Sequence, residues 1–284
     1  MTGAGGKTGK AVVAALAARG AAVRALVRHA EAIPVLRERG AGEVVAGDMR
    51  SEADVRRAAE GARAVYHICP NVHPDEVAIG LAAFAAARAG GAQHFVFHSV
   101  LHPQTQAMPH HWRKLLVEEA LFTSGLPFTI LQPAPYMQNV LASWAMILNR
   151  GVYTVPYPVE TRLSLVDLED VAEAAAIVLT EPGHTGAIYE LAGTPPMTQT
   201  EVAAALGDGL GRPVNAAAES IQTWEQRVRA AGMGDTQIST LRQMFDYYAR
   251  FGLPGNPNVL GWLLRRPPSS LAAFAARAAQ ASGA

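Results

Sequence analysis

The first nine residues read MTGAGGKTG, a glycine turn that runs directly into a helical pattern, and this turn restricts what the rest of the chain can build. Gly3, Gly6 and Gly9 have the spacing TGxxGxxG. In a dinucleotide-binding turn the glycines divide three tasks: a positive φ, a bare backbone against pyrophosphate, and close packing of helix on strand. The helix that follows, opening with Lys7 and Thr8, offers the N–H groups of its first turn to the phosphates. A glycine-rich loop before a helix is also an ordinary structural turn, so the sequence downstream has to decide between the two.

Downstream, short β-branched runs alternate with segments of helical length for about two-thirds of the chain, the pattern of βαβ units on a parallel sheet. Strands are expected at 22–28, 43–46, 64–69, 93–100 and 127–131, and helices at 8–19, 51–60, 75–89 and 109–124. Val12, Val13, Leu16 and Ala17 give the first helix its apolar stripe. After the Pro-rich turn QPAPYMQN the pattern predicts a helix near 136–149, strands near 152–156 and 186–192, and mostly helix from 198 on, with a closing helix over 269–280. Asp167 and Asp170 are spaced as a capping box for the helix between. The expected class is α/β, a doubly wound parallel-sheet Rossmann domain over 1–150. Residues 151–284 are expected to be mixed, with 164–192 returning to the sheet and the remainder forming a small, mostly helical substrate lobe.

A turn of this kind is normally fed by a strand of about five apolar residues, central in the order 3-2-1-4-5-6. The sequence opens at the turn itself, so that strand is expected to be missing, leaving a slot between the strands at 22–28 and 64–69; a late-assigned start accounts for it, the alternative being a true truncation, poorly stable and weak in cofactor binding. Where the strand at 22–28 ends, a dinucleotide fold places an acid to select NAD or a base to accept the 2′-phosphate of NADP. This chain has Arg28 and then His29, which favours NADP(H) with NAD(H) possible, although a solvated arginine at a strand end is the plain alternative. Asp48, in AGDM, falls where a side chain reaches the adenine, and Asp after Gly is equally a turn residue.

The balance of 24 Lys and Arg against 24 Asp and Glu leaves no net field to attract nucleic acid or an anionic membrane. The single cysteine, Cys69, excludes an internal disulfide framework and suits a reducing cytosol. No stretch has the apolar length of a membrane span or the pattern of a signal peptide, so a cytoplasmic protein is expected. Four histidines, 98, 102, 110 and 111, invite a metal reading, but their spacing lacks a common helix face and no acid lies among them, so no metal is expected.

Several stretches together resemble the NmrA-like family of atypical short-chain dehydrogenases/reductases. They are TGAGGKTG at 2–9, VRALVR at 23–28, the GD pair at 47–48, FVFHSV at 95–100, HHWRKLLVEEALFTSGLPFTILQPAPYMQN at 110–139 and VDLEDVA at 166–172. The resemblance covers nearly the whole chain and is most specific over 110–139. It implies NADP(H) binding and, in many members, hydride transfer to a quinone, enone or ketone; others bind the cofactor only to sense redox state.

Relatives in the wider superfamily use Tyr-x-x-x-Lys with an upstream Ser, the tyrosine giving or taking the carbonyl proton. By resemblance the tyrosine position is His110, the lysine Lys114 and the serine Ser99, with Lys114 also holding the ribose. An imidazole can donate a proton near neutrality. Ser99 is otherwise a loop cap at a strand end. Cys69 would lie at the cofactor rim, or be a small buried residue. The loop from Pro133 through Tyr136, Met137 and Asn139 would lie near the nicotinamide. Trp144, Trp224, Phe245, Tyr247, Tyr248 and Phe251 could roof a flat apolar substrate, an aromatic carbonyl or quinone. A homodimer is possible on this reading.

Overall fold

A computed structural model describes residues 1–283, which divide into two compact units. The first contains residues 1–106, 110–133 and 171–189 and the second the remainder, so the chain leaves the first unit at Pro133.

In chain order the first unit runs α1 (Lys7–Ala18), β1 (Arg24–Val27), α2 (Ile33–Glu38), β2 (Glu43–Ala46), α3 (Glu52–Ala59), β3 (Ala64–His67), α4 (Glu76–Ala89), β4 (His94–His98), α5 (Pro109–Phe122) and β5 (Phe128–Pro133). The alternation of strand and helix read from the sequence is therefore present, with one addition. Helix α2 carries Pro34 in its first turn, a position where the missing N–H is no loss, and its single buried residue, Leu36, is too little periodicity to announce a helix.

The pairs β1–β2, β3–β4 and β4–β5 are parallel. In the four-stranded sheet the order is β3-β4-β5-β7, where β7 is Ile188–Leu191, and β1 pairs with β2 separately. Between β1 and β3 stand Met1 and Thr2. The Met1 amino group donates to Arg24 O at 2.7 Å, Leu26 N donates to Met1 O at 2.8 Å, and Thr2 N donates to Tyr66 O at 3.0 Å. These two residues bridge β1 and β3 in the slot expected from the sequence, beside the glycine turn.

Strand β4 lies at the centre, with Phe95, Val96 and Phe97 all fully buried. Residues alternate between faces as the pleat requires. Val65, Phe95, Phe97 and Ile130 enter a core with Ala58 and Ala59 of α3, Ala83, Ala86 and Ala87 of α4, and Val117 and Leu121 of α5. Alanine along α4 allows a close approach of helix to sheet.

The second unit continues with α6 (Trp144–Arg150) and β6 (Val152–Val155). Helix α7 (Leu168–Thr180) begins in it and returns the chain to the first unit from Val171, and β7 (Ile188–Leu191) leads back out. Then follow α8 (Gln199–Leu210), β8 (Asn215–Ala218), α9 (Ile221–Ala230), α10 (Asp235–Phe251), α11 (Pro257–Leu264) and α12 (Leu271–Ser282). β8, too poor in β-branched residues to be read as a strand, pairs in parallel with β6. The core here joins Met137, Ile147, Tyr153, Val155, Leu206 and Phe274.

The capping box at 167–170 is corrected. Asp167 caps α7 by accepting from Glu169 N at 3.1 Å, but Asp170 does not reach back to it. The Asp170 carboxylate, fully buried, accepts from Ser269 N at 2.6 Å, Ser269 Oγ at 3.0 Å and Arg266 at 2.7 Å. A buried carboxylate with a cation and two further donors within reach has stronger partners than one N-cap N–H. Among the described residues no helix is long and apolar enough to cross a membrane.

Candidate functional site: the carboxyl ends of the central strands

The glycine turn precedes α1 with Gly6 as N-cap. Gly3 has φ of +64°, and a methyl group on it would stand 2.5 Å from Ile68 O. One on Gly9 would stand 2.3 Å from Gly3 O and 2.6 Å from Ala4 Cα, so the turn folds directly over the helix. Gly6 differs: a methyl there would touch only Gly3 O, at an ordinary 3.5 Å. Nothing in the protein's own packing requires glycine at 6, and Gly5, Gly6 and Lys7 are exposed while Thr8 and Gly9 are buried. An exposed, side-chain-free backbone at the start of a twelve-residue helix fits a pyrophosphate group.

At the end of β1 the exposed Arg28 donates Nε to His29 Nε2 at 2.9 Å. Asp48 is chelated by Arg50, which gives it Nε at 3.0 Å and Nη2 at 2.6 Å, and those bonds hold its carboxyl down at about 2, with the Arg28 charge helping. Arg50 is a cation that the sequence reading did not single out.

Helix α5 carries the densest chemistry. Its buried residues are His110, His111, Lys114, Val117, Glu118 and Leu121, one stripe at helical spacing whose amino-terminal half is polar and whose carboxyl-terminal half is core. The Lys114 ammonium donates to Glu76 Oε1 at 2.8 Å and to the His98 carbonyl at 3.4 Å, and lies 5.5 Å from the centre of the Phe97 ring. One of its three N–H groups is left for a further acceptor. Glu76, 2% exposed, opens α4, where an acid reads from sequence only as a favourable helix-dipole charge.

The Ser99 hydroxyl donates to Glu118 Oε1, and Gln132 Nε2 donates to both oxygens of the same carboxylate, at 3.0 and 2.9 Å. All three side chains are buried. Burial raises the Glu118 carboxyl above its ordinary range while these bonds and the Lys114 charge draw it back. Glu118 lies four residues beyond Lys114, the spacing that places both on one helix face, and that spacing was its only sequence signal.

His110 is 7% exposed, its ring meets His111 edge-on at 4.5 Å, and its Nδ1 has no hydrogen-bond partner among the described residues. His111 Nδ1 donates to the His102 carbonyl at 3.2 Å. On β3, His67 stacks beside Phe95 and Phe97 and shares a 2.8 Å hydrogen bond with Thr2 Oγ1, while Tyr66 and His98 share one of 2.5 Å on the opposite face. Burial, reinforced by the Lys114 charge, pushes His67 and His98 down to about 3. Burial also takes His110 to about 3, with His111 and Lys114 adding to it, and His111 to about 4.

Cys69 is 5% exposed, and burial above all, with Glu76 nearby, pushes its thiol well above the ordinary range. A thiolate-selective reagent should leave the native protein unlabelled and label it stoichiometrically in denaturant; rapid native labelling would contradict the buried placement.

The first unit thus brings together Gly3, Gly6, Gly9, Arg28 and Asp48 along its strand ends, and Ser99, His110 and Lys114 around α5. Pro133 ends β5 and is buried. Tyr136, half-buried, belongs to the second unit, where the segment after it is anchored by Met137 N donating to Val166 O at 2.8 Å. Met137 itself is a core residue of that unit, fully buried in the same cluster as Val140 and Ile147. Trp224 and Tyr248 are likewise core, whereas Phe251 is 66% exposed.

The sequence profile of the NmrA-like family matches residues 1–271. An NAD(P)H azoreductase of Xenophilus azovorans is 31% identical across 100% of this chain and 99% of that protein. The solved structure of the NADPH-dependent quinone oxidoreductase of Escherichia coli superposes with a TM-score of 0.82, 27% identity and 98% coverage of each chain, and it has also been solved with NADPH. The Citrobacter sp. triphenylmethane reductase, solved with NADP(H), superposes with a TM-score of 0.82 at 25% identity over 98% of each chain.

Proposed function

This chain belongs to the NmrA-like family, and from that premise we propose that it is an NADPH-dependent oxidoreductase that passes hydride to a quinone or a related conjugated acceptor. The observation that carries the reading is the glycine turn, closed against Ile68 at Gly3 and against its own first residues at Gly9, and left bare at Gly6. Full-length likeness to an NAD(P)H azoreductase and to an NADPH-dependent quinone oxidoreductase supports the same chemistry.

In this reading the Gly5–Gly6 backbone and the first turn of α1, with Lys7 and Thr8, receive the pyrophosphate. Arg28 receives the 2′-phosphate, and Asp48 faces the adenine. The remaining N–H of Lys114 holds a ribose hydroxyl, and the carboxylate of Glu76 keeps that ammonium in place. Bound there, the reduced nicotinamide supplies two electrons and a hydrogen as one hydride. The protein's part is to bind, orient and exclude water. The balanced charge and single buried cysteine favour a cytoplasmic location.

Calorimetry with NADPH, followed by its oxidation in the presence of a benzoquinone, tests the reading. The Gly6→Ala variant should keep its melting temperature, since the added methyl makes an ordinary contact, yet bind NADPH about tenfold more weakly, or about 1.4 kcal/mol. Unchanged affinity in that variant would place the phosphates elsewhere. Tight NADPH binding with no acceptor reduced would favour a redox-sensing role instead.

A further inference from the structure

We infer that Ser99, His110 and Lys114 give no proton to the acceptor during hydride transfer, and that the substrates are therefore quinones and other acceptors that delocalise the incoming electron pair, while isolated ketones are excluded. The inference deepens the oxidoreductase reading and rests on it. Those three side chains are the ones the resemblance puts in the acid's place; Ser99 and Lys114 are bonded to carboxylates, and His110 is enclosed. The Ser99 hydroxyl hydrogen is directed at Glu118, a buried carboxylate that also takes both Gln132 bonds, so Ser99 presents only lone pairs to anything else. His110 takes the place of the usual tyrosine but is enclosed, with its ring against His111 and no partner on Nδ1 among the described residues. Burial keeps that imidazole neutral, and a neutral imidazole releases a proton only by becoming imidazolate.

Lys114 is the remaining candidate. If its ammonium gave up a proton, Glu76 would be left as an unpaired carboxylate at 2% exposure, and the interaction that holds the lysine would be lost. The lysine is thus a positioning residue whose charge state is fixed by its partner.

The consequence for the acceptor follows from the electron count. A hydride adds two electrons and one proton to the acceptor, NADPH leaves as NADP⁺, and one further proton completes the reduction. On an isolated ketone the adduct is a localised alkoxide, so that proton has to arrive as the C–H bond forms. On a quinone the pair spreads over the ring to the second oxygen. The hydroquinone monoanion that results is stable enough to leave and take its proton from water. General acid assistance contributes about 10²–10⁴-fold where it operates, and this is the factor an isolated ketone would lack.

The test compares a benzoquinone with cyclohexanone at saturating NADPH, in H₂O and D₂O, for the wild type and for His110→Phe and Ser99→Ala. Cyclohexanone should be at least about 10³-fold poorer in kcat/KM, the solvent isotope effect on the quinone should be close to unity, and both variants should stay within about threefold of wild type. Without cofactor, ¹⁵N NMR should find the His110 imidazole neutral down to pH of about 5.5, where an ordinary imidazole is mostly protonated. Comparable turnover of cyclohexanone, a solvent isotope effect above about 2, or titration of His110 near its ordinary value would overturn the inference while leaving the oxidoreductase intact. A drop of about 100-fold in His110→Phe with NADPH affinity preserved would do the same. If Ser99→Ala does not fold, the isotope effect and His110→Phe decide. Reduction of neither acceptor by protein that binds NADPH would overturn the oxidoreductase reading and this inference together.

Discussion

Replacing Lys114 by methionine is expected to destabilise the protein by about 3–5 kcal/mol, the usual effect of leaving one partner of a buried ion pair uncompensated. Lys114 and Glu76 have side-chain exposures of 9% and 2%, so little water can screen the carboxylate that remains. The Glu76→Gln, Lys114→Met double variant should recover most of the loss, since the penalty comes from the orphaned charge and not from the missing contact. Urea unfolding of the three proteins reads it directly. A single variant within about 1 kcal/mol of wild type would mean that Glu76 finds another partner or reaches water. NADPH affinity should fall in both variants, because the third N–H of Lys114 is gone in each. Stability and cofactor binding therefore separate in the double variant.

Acid should unfold the protein steeply. His67, His98 and His110 sit at about 3 and His111 at about 4, against an ordinary 6.5. The unfolded chain therefore binds protons through a window where the folded chain does not. Groups depressed on folding contribute stability that is complete above about pH 6.5 and lost as the pH falls toward 3–4. Each imidazole contributes about 1.4 kcal/mol per pH unit inside that window. The four together give a slope of about 5 kcal/mol per unit, against a whole-domain stability of about 5–15 kcal/mol. Glu118 opposes them, since its raised carboxyl is relieved by protonation, but it is one group against four. Unfolding midpoints measured from pH 7 to 4 should collapse between about pH 5.5 and 4, and a flat profile down to pH 5 would show that these imidazoles reach solvent.

The sequence carried the framework because its signals are local and periodic. The stripe Val12, Val13, Leu16 and the short apolar runs at 24–27 and 94–98 each specify an element without knowledge of their neighbours. The same is true of Gly9, whose close approaches are to Gly3 and Ala4 of its own turn, whereas Gly3 meets Ile68, beyond β3. Helix α2 and strand β8 escaped because each is short and owes its form to its neighbours rather than to its own pattern.

What the sequence by itself determined is the fold class, the glycine turn, the basic end of β1 and the helix face that carries His110 and Lys114. The tertiary structure alone decided what those residues do. Glu76 is 38 positions from Lys114 and Glu118 is 19 from Ser99, so neither pairing has a local signature. Desolvation, which lowers the four imidazoles and ties the serine and lysine to carboxylates, comes from packing the whole sheet against α4 and α5. Residue type and spacing fix which groups can meet; enclosure fixes which of them keep a proton to give.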